Sequence, residues 1–110
     1  MTFDLEASLE ATARQHAEGC VKTWEDLERY RTIITVAAPT LIIEAGTFSG
    51  KAALWFAANS GAKVVTIDCT DNVDPDTRDN PLFRQQVTHL LGNTIDPEMI
   101  DRVHRLAEGH

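Results

Sequence analysis

The 110-residue sequence holds only two cysteines, Cys20 and Cys69, far apart and without a CxxC pair. That excludes a disulfide framework or a zinc ribbon and points to free thiols in a reducing compartment. Basic residues are scarce as well. Ten Lys and Arg stand against 17 Asp and Glu, a net charge of −7 and a pI near 4.9. With no basic cluster, binding along a phosphate backbone is excluded as the main task. No apolar run approaches the roughly 20 residues of a membrane span. The first residues, MTFDLEASLE, are acidic where a signal peptide is basic and then apolar. The expectation is a cytoplasmic protein that engages neither nucleic acid nor membrane.

What is present suffices for one domain. Hydrophobic residues make up 43% of the chain, and a chain of this length buries roughly two-thirds of the surface that its unfolded form exposes. The organising stretch is LIIEAGTFSGKAALWFAANSGAKVVTID, residues 41–68. Leu41, Ile42 and Ile43 run without polar alternation, as in a strand buried on both faces, and Glu44 closes it. Residues 49–60 carry a continuous apolar run, Ala52 to Ala58, too long for a strand and rich in helix formers. Trp55 and Phe56 read as core. Gly61 is placed to stop that helix in the left-handed conformation, and Lys63 to Ile67 reads as a second strand that ends on Asp68. Such a βαβ unit crosses over right-handed, so Glu44 and Asp68 share one sheet edge, where open α/β sheets bind ligands.

The flanks follow the same alternation. Residues 4–18 place Leu5, Leu9, Ala13 and Ala17 on one stripe of a helix. Thr23 caps a second helix carrying Leu27, Tyr30 and Ile34, which Pro39 stops. Residues 69–81, CTDNVDPDTRDNP, read as a surface loop. Residues 86–91 read as a third strand, and Pro97 opens a last helix with Met99, Ile100, Val103 and Leu106 as its apolar stripe. The expected fold is α/β: a Rossmann-like, doubly wound parallel sheet of which this chain supplies the first half, two N-terminal helices and then β-α-β-loop-β-α. Residues 1–38 are expected to form the helical part and residues 39–110 the cofactor-binding half.

Sequential parallel strands leave the first with one free side. An apolar edge of that kind is normally covered, so a second copy or a partner chain is expected along residues 41–45.

The glycines narrow the ligand. A P-loop would need glycine where Ala45 stands and Ser or Thr where Ala52 stands. A dinucleotide fingerprint started at Gly46 meets Phe48 and Lys51; shifted back, it meets Glu44 and Ser49. Both nucleotide readings fail. What remains is E-x-G-x-x-x-G with an acid 22 positions after Gly46. Asp68 can accept from two ribose hydroxyls, Gly46 admits close approach, and the helix start near Thr47 to Gly50 offers N–H groups to a carboxylate. Glu44 can meet a cation. Ribose, carboxylate and cation without phosphate describe S-adenosylmethionine.

LIIEAGTFSGKAALWFA and KVVTIDC resemble motif I and the acidic second-strand end of class I S-adenosylmethionine-dependent methyltransferases. NPLFRQQVTHLLGNTIDPEMIDRVHRLAEG and the upstream WEDLERYRTIITVAAPTLIIEAGT are similar to segments of the cephalosporin-hydroxylase-like family, which includes rhamnosyl-type sugar O-methyltransferases. The resemblance spans residues 24–109. It implies that Glu44, Gly46, Thr47 and Gly50 line the methionine part, that Asp68 holds the ribose, and that Gly92, Asn93 and Thr94 lie near the adenine. Asn93 and Thr94 stand where that family has an acid and a serine. The family continues into a strand ending in an acidic D-S/D-x-H segment that carries metal ligands and the methyl-acceptor site, and the 110 residues do not include it. The resemblance therefore implies a cofactor-binding half truncated at its C-terminus, with catalytic residues unassigned. A divalent metal such as magnesium would belong to a full-length relative, and the acceptor to the small molecules or sugars.

Other constellations read blandly. Asp71, Asp74, Asp76 and Asp79 lack the glycine and closing glutamate of a calcium loop. His16, His89, His104 and His110 show no ligand spacing. Cys69 is expected as a small buried residue. A non-catalytic binding module associating through the first strand is the competing reading, and a nicotinamide enzyme comes third.

Overall fold

The computed structural model describes residues 24–110. The expected helix over residues 4–18, the Thr23 cap, Cys20 and His16 lie outside the described residues. The element order is α1 (Trp24–Ala37), β1 (Leu41–Ala45), α2 (Lys51–Ser60), β2 (Lys63–Asp68), α3 (Pro75–Asp79), α4 (Pro81–Gln86), β3 (Val87–Leu91) and α5 (Pro97–Ala107). The three strands form a parallel sheet in the order β1-β2-β3. This is the α/β arrangement expected of part of a Rossmann-like sheet.

Strand parity divides the core in two. On one face Val64 of β2 packs with Leu27 of α1, the α2 residues Ala52, Ala53, Trp55, Phe56 and Ala57, and Val73 and Phe83. On the other, Val65, Ile67 and Leu90 meet Met99 of α5. Both crossovers, β1 to β2 and β2 to β3, therefore run over the same face, and among the described residues α5 covers the opposite one. Trp55 is completely buried, and Phe56 meets both Trp55 and Tyr30 edge to face, at 5.5 and 5.3 Å between ring centres, the geometry that the ring quadrupoles favour.

The segment read as a surface loop, residues 69–81, is corrected by the structure. It contains α3 and leads directly into α4, and Val73 and Thr77 are buried. The cause is local. Asp74-Pro75 and Asn80-Pro81 each place a carboxylate or amide cap before a proline: Asp74 accepts from the Thr77 N–H at 3.3 Å and Asn80 from the Leu82 N–H at 2.9 Å. Proline at the first helical position costs nothing, since its missing N–H would have no partner there. Asp96-Pro97 opens α5 by the same device. Gln86, expected in the third strand, ends α4 instead.

Two burial expectations also change. Cys69, one residue past the end of β2, is an exposed free thiol rather than a buried small residue. The α5 stripe is only half used: Met99 is buried and Val103 half-buried, while Ile100 and Leu106 remain exposed. Met99 packs over β2 and β3, with Leu41 of β1 half-buried against the same cluster, while Ile43 on that face of β1 is 49% exposed.

Candidate functional site

The strand pairing runs on past the strand ends. Gly46 N–H donates to the Ile67 carbonyl at 2.7 Å and Gly92 N–H to the Asp68 carbonyl at 2.9 Å. Gly46, Asp68 and Gly92 are thereby brought to one edge. Between them lies an open cleft of about 240 Å³ lined by Ala45, Gly46, Ile67, Asp68, Cys69, Gly92, Asn93 and Thr94.

The turn from β1 to α2 winds through three left-handed residues, Gly46 (φ 92°), Phe48 (φ 49°) and Gly50 (φ 83°). That conformation costs a residue with a Cβ roughly 1–2 kcal/mol. Glycine avoids the cost at two of the three positions. Phe48 bears it, and its N–H donates to Asp68 Oδ2 at 3.0 Å. The Thr70 N–H reaches Asp68 Oδ1 at 3.4 Å. The Phe48 amide above all holds the Asp68 carboxyl below the usual carboxylate range; partial desolvation opposes it, and the Thr70 and Cys69 groups add to the lowering. Asp68 is thus an ionised acceptor at neutral pH. A carboxylate has about four lone-pair positions, enough to take two ligand hydroxyls beside these amides.

The two glycines of the turn have different surroundings. A Cβ built on Gly46 meets nothing within 4 Å, so the ground above the β1 tip is open to a ligand. One built on Gly50 comes within 3.2 Å of Phe83 and Val73 and 3.3 Å of Thr77. Gly50 is buried against the segment that carries α3 and α4 and does not line the cleft.

Glu44 and Thr47 lie below the tip rather than in the cleft. Glu44 is 7% and Thr47 2% exposed. Thr66 Oγ1 donates to Glu44 Oε1 at 2.7 Å and pairs with Thr47 Oγ1 at 2.8 Å. Glu44 borders a larger cavity of about 440 Å³ along the outer edge of β1, with Tyr30, Ile33 and Ile34 of α1 and Phe56 of α2 among its walls. Ala45 lines both cavities. A ligand crossing the β1 tip over Gly46 would pass from one to the other.

The helix start offers fewer amides than the sequence suggests. Phe48 N–H is taken by Asp68, Gly50 N–H by the Thr47 carbonyl and Lys51 N–H by Ser49 Oγ. Thr66 is the residue that the sequence reading passed over. It looks like any β-branched strand residue, and its signal is register: it sits directly beside Glu44 in the parallel ladder. Among the described residues no three His, Cys, Asp or Glu side chains gather as a metal-ligand set, and no helix is long and apolar enough to cross a membrane.

The family described as rhamnosyl O-methyltransferase/CmcI matches residues 11–110. Curated relatives named rhamnosyl O-methyltransferase, from Mycobacterium tuberculosis (strain ATCC 25618 / H37Rv) and Mycobacterium bovis (strain BCG / Pasteur 1173P2), are 30% identical over 93 residues. That alignment takes in 79% of this chain and 36% of each relative, so the chain spans little more than a third of their length. The family match takes in β1, the left-handed turn, Asp68 and the Gly92-Asn93-Thr94 corner, and by it the chain belongs to the rhamnosyl O-methyltransferase/CmcI family.

Proposed function

We propose that this chain supplies the cofactor-binding half of an S-adenosylmethionine-dependent O-methyltransferase acting on a small molecule or sugar. The observation that carries the reading is the ionised Asp68 carboxylate, fixed by the Phe48 amide at the mouth of the cleft between Gly46 and Gly92. When bound, the cofactor supplies an electrophilic methyl group on a sulfonium centre. Asp68 accepts from its two ribose hydroxyls, and Asn93 and Thr94 offer hydrogen bonds to the adenine. The amino-acid part crosses the open ground above Gly46 toward Glu44, whose carboxylate meets the ammonium, with Thr47 beneath and Gly50 shaping the turn. Holding the methyl in line with an acceptor oxygen supplies much of the rate through proximity and orientation. No described residue is assigned to deprotonate the acceptor, and a divalent metal such as magnesium would take ligands other than the described residues.

The test is calorimetric titration of the chain with S-adenosylhomocysteine, beside Asp68→Ala. Saturable binding to the unsubstituted chain that the substitution abolishes is the expected result. A folded chain that binds nothing overturns the reading.

A second reading rests on the edge of β1. Its outer side has no strand neighbour among the described residues, and Ile43 with Ile33 and Val36 of α1 is exposed, at 49%, 60% and 83%. That surface suits a binding module which a second copy or a partner chain covers.

A further inference from the structure

We propose that Thr66 is a positioning residue, holding the Glu44 carboxylate in the orientation that receives the ammonium of the cofactor's amino-acid part. The proposal rests on the S-adenosylmethionine reading above and adds a residue to it.

Thr66 is completely buried in the central strand. The register places it beside Glu44, on the same face of the sheet. A hydroxyl has one proton to give, and that of Thr66 goes to Glu44 Oε1 at 2.7 Å. The 2.8 Å contact with Thr47 Oγ1 must then run the other way, with Thr47 donating. The three side chains form one directed series, from Thr47 through Thr66 to Glu44. All of it is buried, at 2%, 0% and 7% exposure.

Two consequences follow for the ligand. The Thr47 proton is committed inward, so this buried hydroxyl has none to offer a ligand. The Glu44 carboxylate, which turned freely could point along the β1 edge, is tied by one oxygen to the sheet interior. Packing alone does not ask for this hydroxyl. Val64, Val65 and Ile67 surround it in the strand, and valine would fill the same volume without burying a polar group that needs a partner. Here it also partners the buried Glu44 and Thr47 side chains, so the positioning role is told from a purely structural one by which ligand its loss affects.

The experiment uses two ligands that differ in the part Glu44 would meet. S-adenosylhomocysteine carries the amino-acid part; 5′-deoxy-5′-methylthioadenosine has the same nucleoside and thioether without it. Both are titrated calorimetrically into the unsubstituted chain, Thr66→Val and Thr66→Ser. We expect Thr66→Val to weaken S-adenosylhomocysteine by roughly tenfold or more, the effect of losing a hydrogen bond to a charged group. Methylthioadenosine binding stays within about twofold of the unsubstituted chain, since its contacts lie on the Asp68 side, and Thr66→Ser restores the lost affinity. Equal weakening of both ligands by Thr66→Val marks a folding role and overturns the proposal, as does no weakening of either. An unsubstituted chain that binds neither ligand overturns the cofactor reading itself, and the role of Thr66 with it.

Discussion

The backbone N–H of Phe48 donates to the side chain of Asp68 at 3.0 Å, so the acid at the end of β2 holds the turn that follows β1. The carboxylate that lines the cleft and the left-handed turn are thus parts of one construction. Removing the carboxylate should loosen the turn.

The first prediction concerns acid. The folded state holds the Asp68 carboxyl below its ordinary value, chiefly through the Phe48 amide. A depressed carboxyl contributes stability that is present above its unfolded pKa, about 3.9, and is lost as pH falls through the folded value. Thermal melts of Asp68→Asn should therefore show a smaller loss of Tm than the unsubstituted chain as pH is taken from 5 to 3. Parallel curves would contradict the assignment.

The second separates the two glycines of the turn. Gly50→Ala meets Phe83 and Val73 at 3.2 Å as well as the cost of a left-handed alanine, together about 2–4 kcal/mol. Gly46→Ala meets open space and costs only the backbone contribution, about 1–2 kcal/mol, while placing a methyl where a ligand would cross. Urea unfolding should rank Gly50→Ala as the less stable. Titration with S-adenosylhomocysteine should show Gly46→Ala weakened although folded.

The third tests the α3–α4 junction. Asn80 ends one helix through its N–H to the Thr77 carbonyl at 3.1 Å and starts the next by accepting from Leu82 N–H at 2.9 Å. Asn80→Ala keeps the first bond and loses the second, costing about 1 kcal/mol. Calorimetry should record a Tm lowered by roughly 4–8 °C.

The fourth addresses the sheet edge. If β1 pairs with a second copy, sedimentation of the unsubstituted chain over a concentration series shows reversible association, and Ile43→Lys abolishes it, since a charge on an edge strand opposes pairing. A monomer at every concentration removes the second copy as the occupant of that edge.

Much of the scaffold was legible because it rests on local signals. The apolar run at Leu41–Ile43, the β-branched run at Val64–Ile67 and the helix-forming stretch from Ala52 fix the βαβ unit, and Gly61 closes α2 in the left-handed form with its N–H on the Ala57 carbonyl. Helices of five and six residues are too short to show a period, so α3 and α4 were hidden, although Asp74-Pro75 and Asn80-Pro81 carried their caps in plain view. The task of Gly50 was not readable locally, because the side chains that exclude a Cβ there come from residues 73, 77 and 83. Thr66 was missed for a similar reason. Parity puts it on one face of its strand, but only the parallel register sets it against Glu44.

The alternation of the β1 backbone has one more outcome, in hydrogen exchange. Gly46 N–H points at β2, and amides two residues apart along a strand share a direction. The Ile42 and Glu44 amides therefore point inward with it, and those of Ile43 and Ala45 point to the edge that has no strand neighbour among the described residues. In deuterated solvent this single strand should exchange in alternate steps, its even-numbered amides persisting while the odd-numbered ones are replaced early. Its two sides would then run on separate clocks, and whatever comes to cover the edge would be recognised by bringing them together.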